Sequence, residues 1–252
     1  MAIALVQQAE GVSSTATTNP SFSSAPTSGN LVVLCFAADD YNGTPNSGWT
    51  QSTGMEQQTY HGGYVWWRIS DGSNPPGGYT IGSASVSAWI LTEWSGVDAT
   101  PYDISAGQFQ QTSTNSYTTP SITPTSGDRL LLAMIGGSVA ADQNAESIGS
   151  WTNSFTAIDY IGTSAGSTDD IVGCAYRLVT ANGSTGYSTG ATFSRVEQSK
   201  SGLIIAFKAA SGGAYNETDA ETSAAASACD DAKTAAALSA EAAAEVSASV
   251  SL

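Results

Sequence analysis

The sequence predicts a mainly β protein: an antiparallel β-sandwich or jelly roll built from two pseudo-repeats, followed by a C-terminal Ala-rich α-helix. Three observations carry that expectation. The phrase "PTSGNLVVL" at 26–34 returns as "PTSGDRLLL" at 124–132. The body between and around these phrases holds most of the 26 Gly, 10 Tyr and 6 Trp together with long Ser/Thr stretches, the composition of short strands joined by turns. From about residue 215 the composition changes to Ala, Ser and Glu.

The repeat extends beyond one phrase. "LVVLCFAADD" is followed by "SGWTQ", and "RLLLAMIGGS" by "GSWTN". An aromatic-basic strand comes next, "YVWWRISDG" against "GCAYRLVTANG", which makes Arg68 and Arg177 equivalent. In the Pro-Thr-Ser-Gly phrase Pro presets φ and Gly supplies φ > 0, so each copy reads as a turn that launches an apolar strand. No stretch before about residue 215 has a helical period, which favours antiparallel sheets over βαβ units. The natural division is residues 1–105 for the first repeat, 106–211 for the second and 212–252 for linker and helix, with the two repeats free to merge into one body. The register of the last strand is open: Trp94 matches either Phe207 or Lys208, and a one-residue slip moves every side chain to the other face. The direction of Glu93 is therefore open too.

In the tail, Gly212 and Gly213 form a joint and Thr218 with Glu221 fits a capping box. The Ala-rich run that follows predicts a helix of roughly thirty residues, about 45 Å long. Steps of three and four place Ala225, Ala228, Ala232, Ala235, Ser239, Ala242, Val246 and Ser249 on one seam, with Lys233 and the acids outside it. Such small residues let helix backbones approach closely, so the seam reads as an assembly element for a homo-oligomer, two or three chains, or for a partner's groove. Each Ala buries little area, so the body must help hold any assembly together.

Charge narrows the partners. Seven basic residues against 22 acidic ones give a net charge of −15, which repels phosphate backbones and argues against nucleic acid. No apolar run approaches the ~20 residues of a membrane span. The opening "MAIALVQQAEGVSS" reads as a strand rather than a secretory signal. Cys35, Cys174 and Cys229 show no metal-ligand spacing and read as free thiols filling apolar space.

Candidates for chemistry are sparse, and no catalytic residue is assigned. The single histidine, His61, lies in the turn-like "TYHGGY", and no Gly-x-Ser-x-Gly elbow is present. Glu93, Asp169 and Asp170 are the acids to inspect for a carboxylate pair of the glycosidase type. Asp39, Asp40 and Asn42 before Gly43 make an oxygen-rich turn of the kind that ligates Ca²⁺, without full EF-hand spacing. Trp66 and Trp67 are adjacent in a strand and so point to opposite faces, leaving one available to stack on a sugar ring. Trp49 and Trp151 hold equivalent places in the repeats, which favours a core role.

The unit "PTSGNLVVLCFAADD…GWT…YVWWRISDG…YTIGSASVSAWILTEWSGVD" resembles a β-rich unit of bacteriophage structural proteins and of bacterial proteins. "SAAASACDDAKTAAALSAEAAAEVSAS" is similar to the Ala-Ser-rich coiled-coil segments of phage tail fibres. The resemblance implies a non-enzymatic virion protein without a cofactor, made in the host cytoplasm and assembled onto a particle beside other capsid or tail proteins. It would decorate the capsid or form a short fibre or tail appendage. The tail carries no following tip domain, which departs from a long tail fibre. Adhesion to cell-surface glycans is the rival expectation, and a polysaccharide-active enzyme the next.

Overall fold

The computed structural model describes residues 2–38, 43–52, 62–81, 86–139, 146–163 and 169–210. Sixteen strands and no helix occur among them, so the protein is mainly β as expected. In the first half they are β1 (Ala4–Ser13), β2 (Thr17–Thr18), β3 (Leu31–Ala38), β4 (Thr44–Pro45), β5 (Thr50–Gln51), β6 (Gly62–Ile69), β7 (Tyr79–Thr80) and β8 (Ser87–Ser95). The second half supplies β9 (Val97–Gln110), β10 (Thr114–Thr118), β11 (Gly127–Val139), β12 (Ile148–Gly149), β13 (Thr156–Gly162), β14 (Asp169–Ala181), β15 (Gly190–Glu197) and β16 (Ser199–Ala209). The helix expected over the tail, with its seam from Ala225 to Ser249, lies outside the described residues.

The duplicated sequence becomes a duplicated topology. The first half forms a five-stranded sheet in the order β1-β8-β3-β6-β5 and a three-stranded one in the order β2-β7-β4. The second half repeats this strand for strand, with β9-β16-β11-β14-β13 and β10-β15-β12. All pairings are antiparallel. The two large sheets pack face to face: β1 lies against β13, β8 and β3 against β14, and β6 against β11 and β16. That order is the one a two-fold rotation along the strand direction produces. Residues Met1–Ala214 accordingly form one compact unit, and Ser105 falls inside β9.

Each large sheet is covered on both faces, which explains the unbroken apolar runs "LVVLCFAA" and "LIIAF". Leu31, Val33, Cys35, Ile90 and Trp94 of the first half meet Leu130, Leu132, Met134, Cys174, Ile205 and Phe207 of the second in a shared core. On the outer face of the first large sheet, Val32, Leu34, Phe36, Trp66 and Leu91 pack under Tyr79 and Ile81. The second half has matching outer cores around Leu131, Ala133 and Ile204 and around Ile135, Ile171 and Phe193.

The open register is resolved by these faces. Leu31 pairs with Trp94 and Leu130 with Phe207, and all four point into the shared core. Trp94 is therefore equivalent to Phe207, and the second copy carries one extra residue, so that Arg129 takes the place of Asn30. Arg68 and Arg177 remain equivalent, opposite Val32 and Leu131.

Candidate functional site

The repeated turn is the site the structure builds most fully. Gly29 and Gly127 have φ of 91° and 113°, the left-handed conformation that glycine adopts without strain. In the first copy the Thr27 N–H donates to Glu93 Oε1 at 2.8 Å and Asn30 Nδ2 donates to the same oxygen at 2.6 Å. Gln7 Nε2 donates to Glu93 Oε2 at 2.6 Å. Glu93 is fully buried on the outer face of its sheet, so these hydrogen bonds replace the water that a buried carboxylate needs.

The second copy reaches the same contact by another route. The Thr125 N–H donates to Asp103 Oδ2 at 3.0 Å, and Arg129 Nε donates to Asp103 Oδ2 at 2.6 Å. Arg129 also donates to the Ser126 carbonyl at 3.0 Å and to the Asp128 carbonyl at 2.8 Å. Burial opposes ionisation of Asp103, but the hydrogen bonds from Arg129 and Thr125 and the Arg129 charge outweigh it and hold the carboxyl below its usual range. In each half a carboxylate thus clamps the Thr N–H of the Pro-Thr-Ser-Gly turn, and the residue at the Asn30/Arg129 position adds a side-chain donor. The carboxylate comes from β8 in one half and from a bulge in β9 in the other. Asp103 and Arg129 were missed in the sequence; the signal was a lone cation heading the apolar run "RLLL".

The acids considered for hydrolysis are not brought together. Glu93 stands opposite Val32 at the start of β3, whereas Asp170 stands opposite Ser138 near the end of β11. With the halves related along the strands, these positions are roughly 20 Å apart at 3.3 Å per residue. Asp169 and Asp170 are consecutive in β14, so their side chains leave opposite faces of the strand. Both are buried, and the Asp170 N–H donates to Thr163 Oγ1 at 3.0 Å.

The tryptophan expectation is corrected by the second covering layer. Trp66 does point away from Trp67, but it is fully buried, ringed by Phe36 at 4.7 Å, Tyr64 at 5.8 Å and Tyr79 at 6.1 Å between ring centroids. It has no face for a sugar. Trp67 is half-buried against the shared core, edge-to-face with Phe207 at 5.9 Å and parallel to Tyr102 at 6.3 Å. Its repeat counterpart is Tyr176, which meets Trp94 edge-to-face at 5.1 Å. The two contacts are symmetry mates that tie one half to the other. Trp49 is in the first outer core and Trp151 packs against the second, in keeping with their equivalence.

Three further groups carry charge or sulfur. Burial and then the neighbouring Asp159 charge push the Glu10 carboxyl up, and Gln8 Nε2 donates to Asp159 Oδ2 at 3.0 Å, so β1 and β13 meet through an acidic pair. Lys200 is fully buried, with Nζ donating to the carbonyls of Thr112, Thr114 and Glu197. Desolvation lowers its pKa, and the Glu197 charge partly opposes that. Cys35 and Cys174 are free and buried, and both belong to the shared core.

Asp39, Asp40, Asn42, His61, Cys229 and the seam Ala225, Ala228, Ala232, Ala235, Ser239, Ala242, Val246 and Ser249 lie outside the described residues. Among the described residues, no group of three or more His, Cys, Asp or Glu is placed to hold a metal ion. No family model, curated protein or solved structure matches the chain.

Proposed function

We propose that the chain is a non-enzymatic structural component of a bacteriophage particle. In this reading the β body is the displayed part, decorating the capsid or forming a short fibre or tail appendage, and residues 212–252 form an Ala-rich helix that mediates assembly. The observation that carries it is the use made of the buried acids. Glu93 and Asp103 are committed to holding the repeated turns, so the carboxylates nearest the duplicated motif support a scaffold rather than a reaction. The net charge of −15 suits a displayed, soluble body, and the resemblance of the tail to fibre coiled coils supplies the assembly role. Deleting residues 212–252 and following particle incorporation tests this. A folded β body that no longer enters particles is expected; unchanged incorporation would overturn the assembly role.

A second reading, adhesion to glycans, draws support from one spot. Tyr102 is 39% exposed and parallel to the half-buried Trp67, an aromatic surface of the kind sugars stack on. Glycan-array binding that is lost in Tyr102→Ala would favour it, and an array without signal would remove it.

A further inference from the structure

The loop that follows β14 reads Asn182-Gly183-Ser184, and the loop that follows β6 reads Asp71-Gly72-Ser73. Their glycines have φ of 75° and 90°. A Cβ on either glycine would stand 4.0 Å from the serine of the adjacent Pro-Thr-Ser-Gly turn, Ser126 or Ser28, so the two loops are repeat equivalents. In both, the first side chain accepts the N–H two residues on: Ser73 donates to Asp71 Oδ1 at 2.9 Å and Ser184 to Asn182 Oδ1 at 2.9 Å. The second loop adds the Thr185 N–H at 2.8 Å and Ser184 Oγ at 3.1 Å to that same oxygen. Asn182 Nδ2 donates to Thr185 Oγ1 at 2.9 Å, and residues 182–186 are all exposed. The first copy thus holds a carboxylate where the second holds an amide.

We infer that Asn182-Gly183 is a self-modifying site, at which the Asn182 amide is converted to a carboxylate with the turn chemistry of Asp71. Gly183 has no side chain to shield its backbone nitrogen, which loses its proton to solvent and attacks Asn182 Cγ. The new C–N bond closes a succinimide ring, the bond from Cγ to Nδ2 breaks, and Nδ2 takes up a proton and leaves as ammonia. Water then adds to one of the two ring carbonyls and opens the ring to aspartate or its β-linked isomer. One water enters, one ammonia leaves, and nothing is oxidised or reduced. Negative charge gathers on Asn182 Oδ1 during the attack, and the three donors already aimed at that oxygen stabilise it as an oxyanion hole does. The same donors suit the product, because hydrogen bonds to an ionised acceptor are stronger than those to a neutral one. In the first loop the Ser73 N–H acts in this way and holds the Asp71 carboxyl below its usual range. The loops differ in their cation. Arg68 meets Asp71 at 2.8 Å, whereas Asn182 lies five residues after Arg177 rather than three, and Arg177 donates to the Asn153 carbonyl at 3.0 Å. Thr185 and the Ser184 hydroxyl supply donors in place of that charge.

The test holds the folded full chain in mildly alkaline buffer beside a synthetic peptide of residues 178–195. That peptide is also the tryptic fragment between Arg177 and Arg195, it contains no other Asn, and the second Asn-Gly pair of the chain, Asn42-Gly43, falls in a separate fragment. The fragment is weighed over time against a zero-time digest. The expected result is a gain of about 1 Da, OH in place of NH₂, in the folded chain at a rate within about tenfold of the free peptide's. Ser184→Ala removes one of the three donors and should slow the gain several-fold in the folded chain but not in the peptide. Asn182→Asp should keep or raise the urea midpoint. An unchanged fragment mass, or a gain more than about tenfold slower than in the peptide, would overturn the inference. Equal rates for Ser184→Ala and the parent would overturn the role given to the hydroxyl, and a lowered midpoint for Asn182→Asp would overturn the likeness to Asp71.

Discussion

The two halves share strand order, sheet pairing and a glycine-bearing turn, yet they hold that turn with different chemistry. In the first, Glu93 is surrounded by neutral donors: the Thr27 N–H, Asn30 and Gln7. In the second, Asp103 faces the Arg129 guanidinium. What both keep is the carboxylate on the Thr N–H. The comparison teaches that the fold demands an acceptor at that point and leaves open which strand supplies it and how its charge is balanced. The extra residue in the second copy puts a long cation where the first copy has Asn30, so a shorter acid on the neighbouring strand suffices.

The largest expected effect tests whether the halves are one body. Trp94 and Phe207 are equivalent and fill the same core, so truncation of either to Ala should cost about 3–5 kcal/mol and lower the urea midpoint of a single transition. Two separate transitions, only one of them shifted, would break the shared-core account.

Asp103→Asn strands the Arg129 guanidinium at a buried turn and should cost about 2–3 kcal/mol. Glu93→Gln keeps one acceptor oxygen but turns an amide N–H₂ toward donors, and about 1–2 kcal/mol is expected. Urea denaturation of the pair ranks the two clamps, and a larger loss for Glu93→Gln would reverse the comparison.

Acid separates them further. The folded pKa of Asp103 is depressed, so its contribution is complete above the ordinary unfolded value near ~4 and is lost as pH falls through the folded value. Thermal unfolding followed from pH 6 downward should show a destabilisation below about pH 4 that shrinks in Asp103→Asn. The smallest effect concerns the join between β1 and β13. The raised pKa of Glu10 means that its ionised form is disfavoured in the folded state. Glu10→Gln should therefore stabilise the protein at neutral pH by a few tenths of a kcal/mol, roughly the scale of a partly screened surface interaction.

The duplication was legible because the turn chemistry of Pro-Thr-Ser-Gly is local and survives in both copies. The register was not, because Asp128 and Arg129 absorb one residue at the head of β11, and only the face that Leu130 presents reveals it. Alternation predicted correctly that Trp66 and Trp67 diverge. It could not predict that both faces are covered, since the covering layers come from Tyr79 on the short strand β7 and from the other repeat. Glu93 stood out as an acid in an apolar strand, but its partners lie 63 to 86 residues away in sequence.

Solution mass by light scattering, on the full chain and on a version ending at Ser211, tests the proposed assembly role most directly. The account predicts a dimer or trimer for the full chain and a monomer for the shorter one. The same mass per chain for both, at low and high protein concentration, would contradict an oligomerising tail.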